Sequence, residues 1–188
     1  MFRNAIKLLG IGLSDAENYE DALSVQEAEL SMMRRLGGPE GAILDVQSNL
    51  AATYARLDYS EQALRMKRDV YSGCLNLYGE EHVETLRAAF NYATSLVTLE
   101  RFEEAKALQR KMMPVARRVV GDDHRLTLRM RCSCAMALYE DPAATLDNVR
   151  EAVTTLEDAT RIARRVFGGS HPLTEGIEID LELSLIHI

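Results

Sequence analysis

Gly79-Glu-Glu-His82-Val-Glu-Thr85-Leu86 decides the reading of this chain, because the phrase comes back. It returns 42 residues later as Gly121-Asp-Asp-His124-Arg-Leu-Thr127-Leu128, and 47 residues after that as Gly168-Gly-Ser-His171-Pro-Leu-Thr174. Self-similarity at a fixed period of this size marks a repeat architecture. One period before Gly79 stands Gly37, where the phrase has decayed to Glu40 and Ile43 in place of His and Thr. The downstream part survives: Asn49-Leu50-Ala51 aligns with Asn91-Tyr92-Ala93 and Ser133-Cys134-Ala135. Later in each unit Ala63 aligns with Ala105 and, at the longer spacing, with Ala152. The unit ends agree as well, Val115-Ala-Arg-Arg-Val-Val-Gly121 resembling Ile162-Ala-Arg-Arg-Val-Phe-Gly168. The five extra residues of the longer unit therefore fall between its two helices, around Asp141-Pro142 and Asp147.

Each unit reads as two helices. In the unit from Gly79, helix A is expected from Thr85 to about Thr98. Its apolar residues Leu86, Ala89, Tyr92, Ala93, Leu96 and Val97 recur at three- and four-residue spacing, the pattern of an amphipathic helix. Thr85 is expected to cap it through its hydroxyl. After a turn at Leu99–Phe102, helix B runs from about Glu103 to Val120. Acids at its start (Glu103, Glu104) and cations at its end (Arg117, Arg118) complement the helix dipole. Gly121 ends it, and Pro114 inside it removes one backbone hydrogen bond and predicts a kink. One such hairpin cannot bury its apolar stripe alone, whereas stacked hairpins bury a continuous core. The predicted fold is all-α, a right-handed α-solenoid of stacked antiparallel helix pairs.

The division that follows is a single repeat domain over 1–182. It holds a partial unit (1–36), full units (37–78, 79–120 and 121–167) and a truncated unit (168–182). Tyr19-Glu-Asp-Ala22-Leu23 marks helix B of the partial unit, whose first helix must fit in Met1–Leu13, a stretch broken by Gly10 and Gly12. The last six residues, Leu183-Ser-Leu-Ile-His-Ile188, resemble the translation of a transposon-end sequencing adapter. They are read as a scar and set aside from fold reasoning.

Composition narrows the function. The 188 residues are 47% hydrophobic and 27% charged, values of a globular chain and not of a disordered one. A net charge of -7 argues against nucleic-acid binding. Three cysteines, Cys74, Cys132 and Cys134, form no disulfide framework and suit a reducing compartment. No stretch approaches the roughly 20 apolar residues that span a bilayer, and no signal peptide is evident. A cytoplasmic protein without membrane contact is expected.

Recurrent G-x-x-H-x-x-T-L, N-L-A and a later E-A pair resemble the kinesin-light-chain type of tetratricopeptide repeat, over roughly Tyr19–Leu181. The long heptad segment of a kinesin light chain is missing. The resemblance implies a non-enzymatic protein-binding scaffold whose concave groove is lined by helix A and holds a peptide or helix of a partner. Carried onto this chain, the groove positions are Asn49 and Arg56, then Arg87, Phe90, Asn91 and Thr94, then Arg129, Cys132 and Met136. Asn49 and Asn91 would pair with a peptide backbone. Arg87 and Arg129 would take ligand carboxylates, and Phe90 and Met136 would form apolar pockets. The partner expected is an acidic segment with one apolar anchor, and homotypic assembly is a further option. The alternative is a recruitment or self-association segment of a larger signalling enzyme whose catalytic part lies elsewhere.

Chemistry is not expected. His82, His124 and His171 sit in successive repeats, roughly 10 Å or more apart at helix-packing distances, whereas zinc ligands converge within about 2.3 Å of one ion. They are read as residues that pack or cap the start of helix A. Cys134 aligns with Leu50 and is read as core, while Cys132 faces the groove. Glu80-Glu81, Glu103-Glu104 and the dibasic pairs Arg34-Arg35, Arg117-Arg118 and Arg164-Arg165 are read as helix-end and loop charges. There is no phosphate-binding loop, nucleophile elbow or H-E-x-x-H motif. No cofactor, metal or catalytic residue is assigned.

Overall fold

Apolar residues at helical spacing become helices, and the repeated phrase becomes the punctuation between them. The computed structural model describes residues 8–10, 12–14 and 16–187, which hold helices, turns and no strand. The expected first helix of the partial unit lies in part outside these residues; Leu8–Gly10 and Gly12–Ser14 are helical. Contacts within the chain define two compact units, 1–79 and 80–188.

The first unit holds α1 (Tyr19–Arg35), α2 (Glu40–Arg56) and α3 (Ser60–Tyr78). Helix α2 packs on both α1 and α3. Their shared core is Leu30, Met33, Val46, Leu50, Tyr54 and Ala63. The Tyr54 hydroxyl donates to Glu27 Oε1 at 2.5 Å. Burial, then Glu27, pushes the Tyr54 pKa up to about 12. Gly73 is needed for close approach: a Cβ there would lie 2.5 Å from Cδ2 of the buried Leu44.

The second unit holds α4 (Val83–Thr98), α5 (Phe102–Val119), α6 (Arg125–Tyr139), α7 (Leu146–Phe167) and α8 (Pro172–Leu185). Each helix packs on the next, and α6 also packs on α4 and on α8. The A helices α4, α6 and α8 therefore make one layer, with α5 and α7 behind it. One core cluster joins Leu128, Cys132 and Leu138 of α6 to Ala152, Leu156 and Ala159 of α7 and Ile177 of α8. Pro114 sits within a continuous α5. Helix α8 continues to Leu185, three residues into the segment read as a scar.

The histidines cap the A helices. In extended backbone, Nδ1 of His82 accepts from Glu84 N, that of His124 from Leu126 N and that of His171 from Leu173 N, at 3.2, 3.1 and 3.1 Å. Each satisfies one orphan N–H of a helix start. This corrects the expectation for Thr85. Helix α4 begins two residues before it, so Thr85 lies inside the first turn and is buried, as are Thr127 and Thr174. Thr127 donates back to the Gly121 carbonyl at 2.7 Å. The glycine that opens each phrase takes a left-handed conformation, at φ +63°, +82°, +98° and +91° for Gly37, Gly79, Gly121 and Gly168, which side chains resist.

The longer third linker is pinned by charge. Lys106 Nζ of α5 donates to Asp141 Oδ2 at 2.6 Å and to Glu103 Oε1 at 2.7 Å. Burial works against the Lys106 charge, but these two carboxylates outweigh it and raise the pKa. The same bond holds Asp141 below the usual carboxylate range.

Alanine sets the helix spacing. Ala51, Ala93 and Ala135 of the A helices are 0%, 2% and 0% exposed, and Ala63, Ala105 and Ala152 of the B helices are 1%, 0% and 0% exposed. A larger side chain there must push a neighbouring helix away. Ala105→Leu is expected to lower stability by about 1–3 kcal/mol through overpacking. Urea unfolding checks this; an unchanged midpoint would mean the site is not packed as described.

Candidate ligand groove

The predicted groove positions fall in both units and are described unit by unit. In the first, Asn49 and Arg56 of α2 line a polar cavity of about 250 Å³ with Ser14, Gln26 and Thr53. Buried Gln26 and Thr53 satisfy each other, Thr53 Oγ1 donating to Gln26 Oε1 at 2.8 Å. Asn49 is half-buried and Arg56 exposed. Neither makes a side-chain hydrogen bond or salt bridge among the described residues.

In the second unit five of the predicted residues come together. Phe90 and Thr94 of α4 and Arg129, Cys132 and Met136 of α6 line one cavity of about 260 Å³. Arg129 Cζ lies 4.6 Å from the centroid of the buried Phe90 ring, a cation–π arrangement. Burial, then Arg125, lowers the Arg129 pKa. Thr94 Oγ1 donates to the Phe90 carbonyl at 2.9 Å, leaving its lone pairs open. The remaining two predicted residues are not in the cavity wall. Arg87 is exposed and pairs with Glu84 one turn back. Asn91 is half-buried.

Ser133 and Cys132, which also line this cavity, belong to the helix packing as well, and Cys134 departs from expectation. Ser133 Oγ accepts from Gln109 Nε2 at 2.9 Å in the interior, so its hydroxyl serves the helix packing. Cys132 belongs to the core cluster, and burial pushes its thiol up to about 12, so it is no ready nucleophile. Cys134, expected in the core, is half-buried, because the buried stripe of α6 runs through Leu128, Cys132, Ala135 and Leu138 and passes it by.

Residues 46–118 match the family model of the tetratricopeptide repeat. Tetratricopeptide repeats are thereby shown for that stretch of the chain. Solved structures share the fold. BtubC (BKLC) from P. vanneervenii superposes with a TM-score of 0.80 at 17% identity, over 97% of this chain and 71% of that one. A point variant of a putative kinesin light chain from Podosopora anserina with nearly identical TPR-like repeats gives 0.81, at 17% identity, over 98% of this chain and 85% of that one. Another structure of the Podosopora anserina protein gives 0.79 at 17% identity over the same shares. No curated protein matches the sequence. Among the described residues no helix is long and apolar enough to cross a membrane.

The repeat register also exposes two cavity residues that the sequence reading passed over. The 47-residue spacing carries Ser133 onto Asp180 and Arg129 onto Gly176, and both line the second unit's cavity. A Cβ added at Gly176 would meet nothing within 4 Å. Asp180 is half-buried and makes no hydrogen bond or salt bridge among the described residues. Burial, then Glu140, raises its pKa from 3.8 to about 6.

A carboxyl whose folded pKa is raised lowers stability once it ionises. The penalty is absent below its unfolded pKa, grows between about 4 and 6, and is full above. Asp180→Asn is therefore expected to raise stability by about 1 kcal/mol at pH 7.5, after allowance for solvent screening, and to change it little at pH 4. Denaturant unfolding at the two pH values decides it. An equal effect at both would remove the assignment.

Proposed function

We propose that this chain is a non-enzymatic scaffold that holds a short segment of another protein against the A helices of its second unit. Tetratricopeptide repeats generally mediate protein–protein interaction and are typically non-catalytic. The observation that carries the finer reading is the cavity beneath the Arg129–Phe90 stack. It has apolar lining from Cys132, Met136 and Ile177, the Arg129 guanidinium without an ionic partner among the described residues, and the Thr94 hydroxyl. Such a concave site with few placed polar groups suits a side chain and a stretch of backbone. In this reading Arg129 takes a carboxylate of the partner, and one partner side chain lies on the floor formed by Met136 and Ile177. Arg87, already paired with Glu84, contributes less than Arg129. Asn49 and Arg56 offer a second, polar contact on the first unit. The repeats over 37–78, 79–120 and 121–167 supply the frame, and the three free thiols fit a cytoplasmic setting.

Blocking the cavity tests this directly. Gly176→Leu places a side chain in open space and removes a helix-interior glycine, so the fold is kept or slightly stabilised. Peptides selected from a random library on the whole chain are expected to bind the variant at least about tenfold more weakly. Peptides that bind both forms alike would exclude the cavity as the site.

A further inference from the structure

We propose that the side chain entering the second unit's cavity is a lysine or arginine of the partner segment. Its stem lies on Cys132, Met136 and Ile177, and its charged head on the Asp180 carboxylate. This deepens the reading of the cavity as a peptide site and rests on it.

The argument begins with a charge the chain leaves unanswered. Asp180 lines the cavity with no salt bridge or hydrogen bond among the described residues, and the charge that acts on it most is Glu140, of the same sign. A half-buried carboxylate in that setting is unfavourable unless a cation reaches it. Cations on α6 and α7 have contacts elsewhere. Arg164 of α7 donates to Glu178 at 2.6 Å, Arg131 of α6 pairs with Asp122 at 3.4 Å, and Arg129 lies over Phe90. The position equivalent to Arg87 and Arg129, from which the chain could supply its own cation, is Gly176.

Shape agrees with charge. Gly176 leaves the wall of α8 open, and Asp180 lies one turn further on, roughly 6 Å along the helix axis. Between them Ile177 and Cys132 are buried and Met136 half-buried. An unbranched aliphatic stem covers such a floor while its charged end reaches a polar group beyond it. A wholly apolar anchor would fill the same floor but shut a carboxylate from water without a partner. An acidic side chain would meet Asp180 and Glu140 with like charge. Arg129, which lines the same cavity, repels a second cation, so one basic residue, with an acidic neighbour for Arg129, matches the cavity.

The test uses peptides selected from a random library on the whole chain, with each basic residue replaced in turn by norleucine, which keeps the stem and removes the charge. For one position the replacement is expected to weaken binding to the natural chain about tenfold or more. On Asp180→Asn the two peptides are expected to bind alike, and on Asp180→Lys a glutamate peptide is expected to bind better than the lysine peptide. The proposal is overturned if selected peptides carry no basic residue, if norleucine peptides bind the natural chain as well, or if the lysine preference is unchanged in Asp180→Asn. If Gly176→Leu still blocks binding in those cases, the cavity remains the peptide site and only its proposed occupant falls. If Gly176→Leu binds every peptide normally, both readings fall.

Discussion

A two-helix hairpin with an apolar stripe on each helix still shows apolar surface after its helices have met. A further helix must cover it, and this need governs the chain. In the second unit α6 meets α5 and α7 before and after it, and α4 and α8 on its flanks. Leu86, Leu128 and Leu156 vanish from solvent in those contacts. The alanines that repeat with them keep the helices close enough for dispersion contacts to add up. In the first unit α2 has the same role between α1 and α3.

The fold was legible because the constraint repeats. Glycine at the end of each helix B and histidine at the start of helix A recur, since each repeat needs the same chain reversal and the same satisfied N–H groups. What those residues do was less legible. Thr85 is the more usual capping residue type, and only the backbone shows α4 starting at Val83 with His82 as the cap. Periodicity alone could not choose between Cys132 and Cys134, because the alignment to Leu50 pointed to one and the buried stripe of α6 to the other. The five groove residues that meet in one cavity were found through a resemblance, carried by position in the repeat. Asp180 and Gly176 follow from the same arithmetic one repeat further on, in the unit read as truncated.

Electrostatics divides the charged residues into two classes. Most ion pairs lie on the surface between near neighbours, such as Arg101 with Glu104 and Arg161 with Asp158, and contribute little. Lys106 with Asp141 is mostly buried and ties a long linker to α5. Arg129 and Asp180 belong to neither class: both face one cavity and neither has an ionic partner among the described residues. That pairing of unmet charge with an apolar floor separates the A-helix face of the second unit from ordinary repeat surface.

Native-state hydrogen exchange, resolved by helix within the second unit, tests the stacking claim most directly, since protection reports how much must open to free each amide. The account predicts slowest exchange in α6, which meets four helices of its unit, and faster exchange in α4 and α8, each of which meets two. Exchange in α6 as fast as in α4 and α8 would contradict it, because helices that protect themselves equally are not sealing one another.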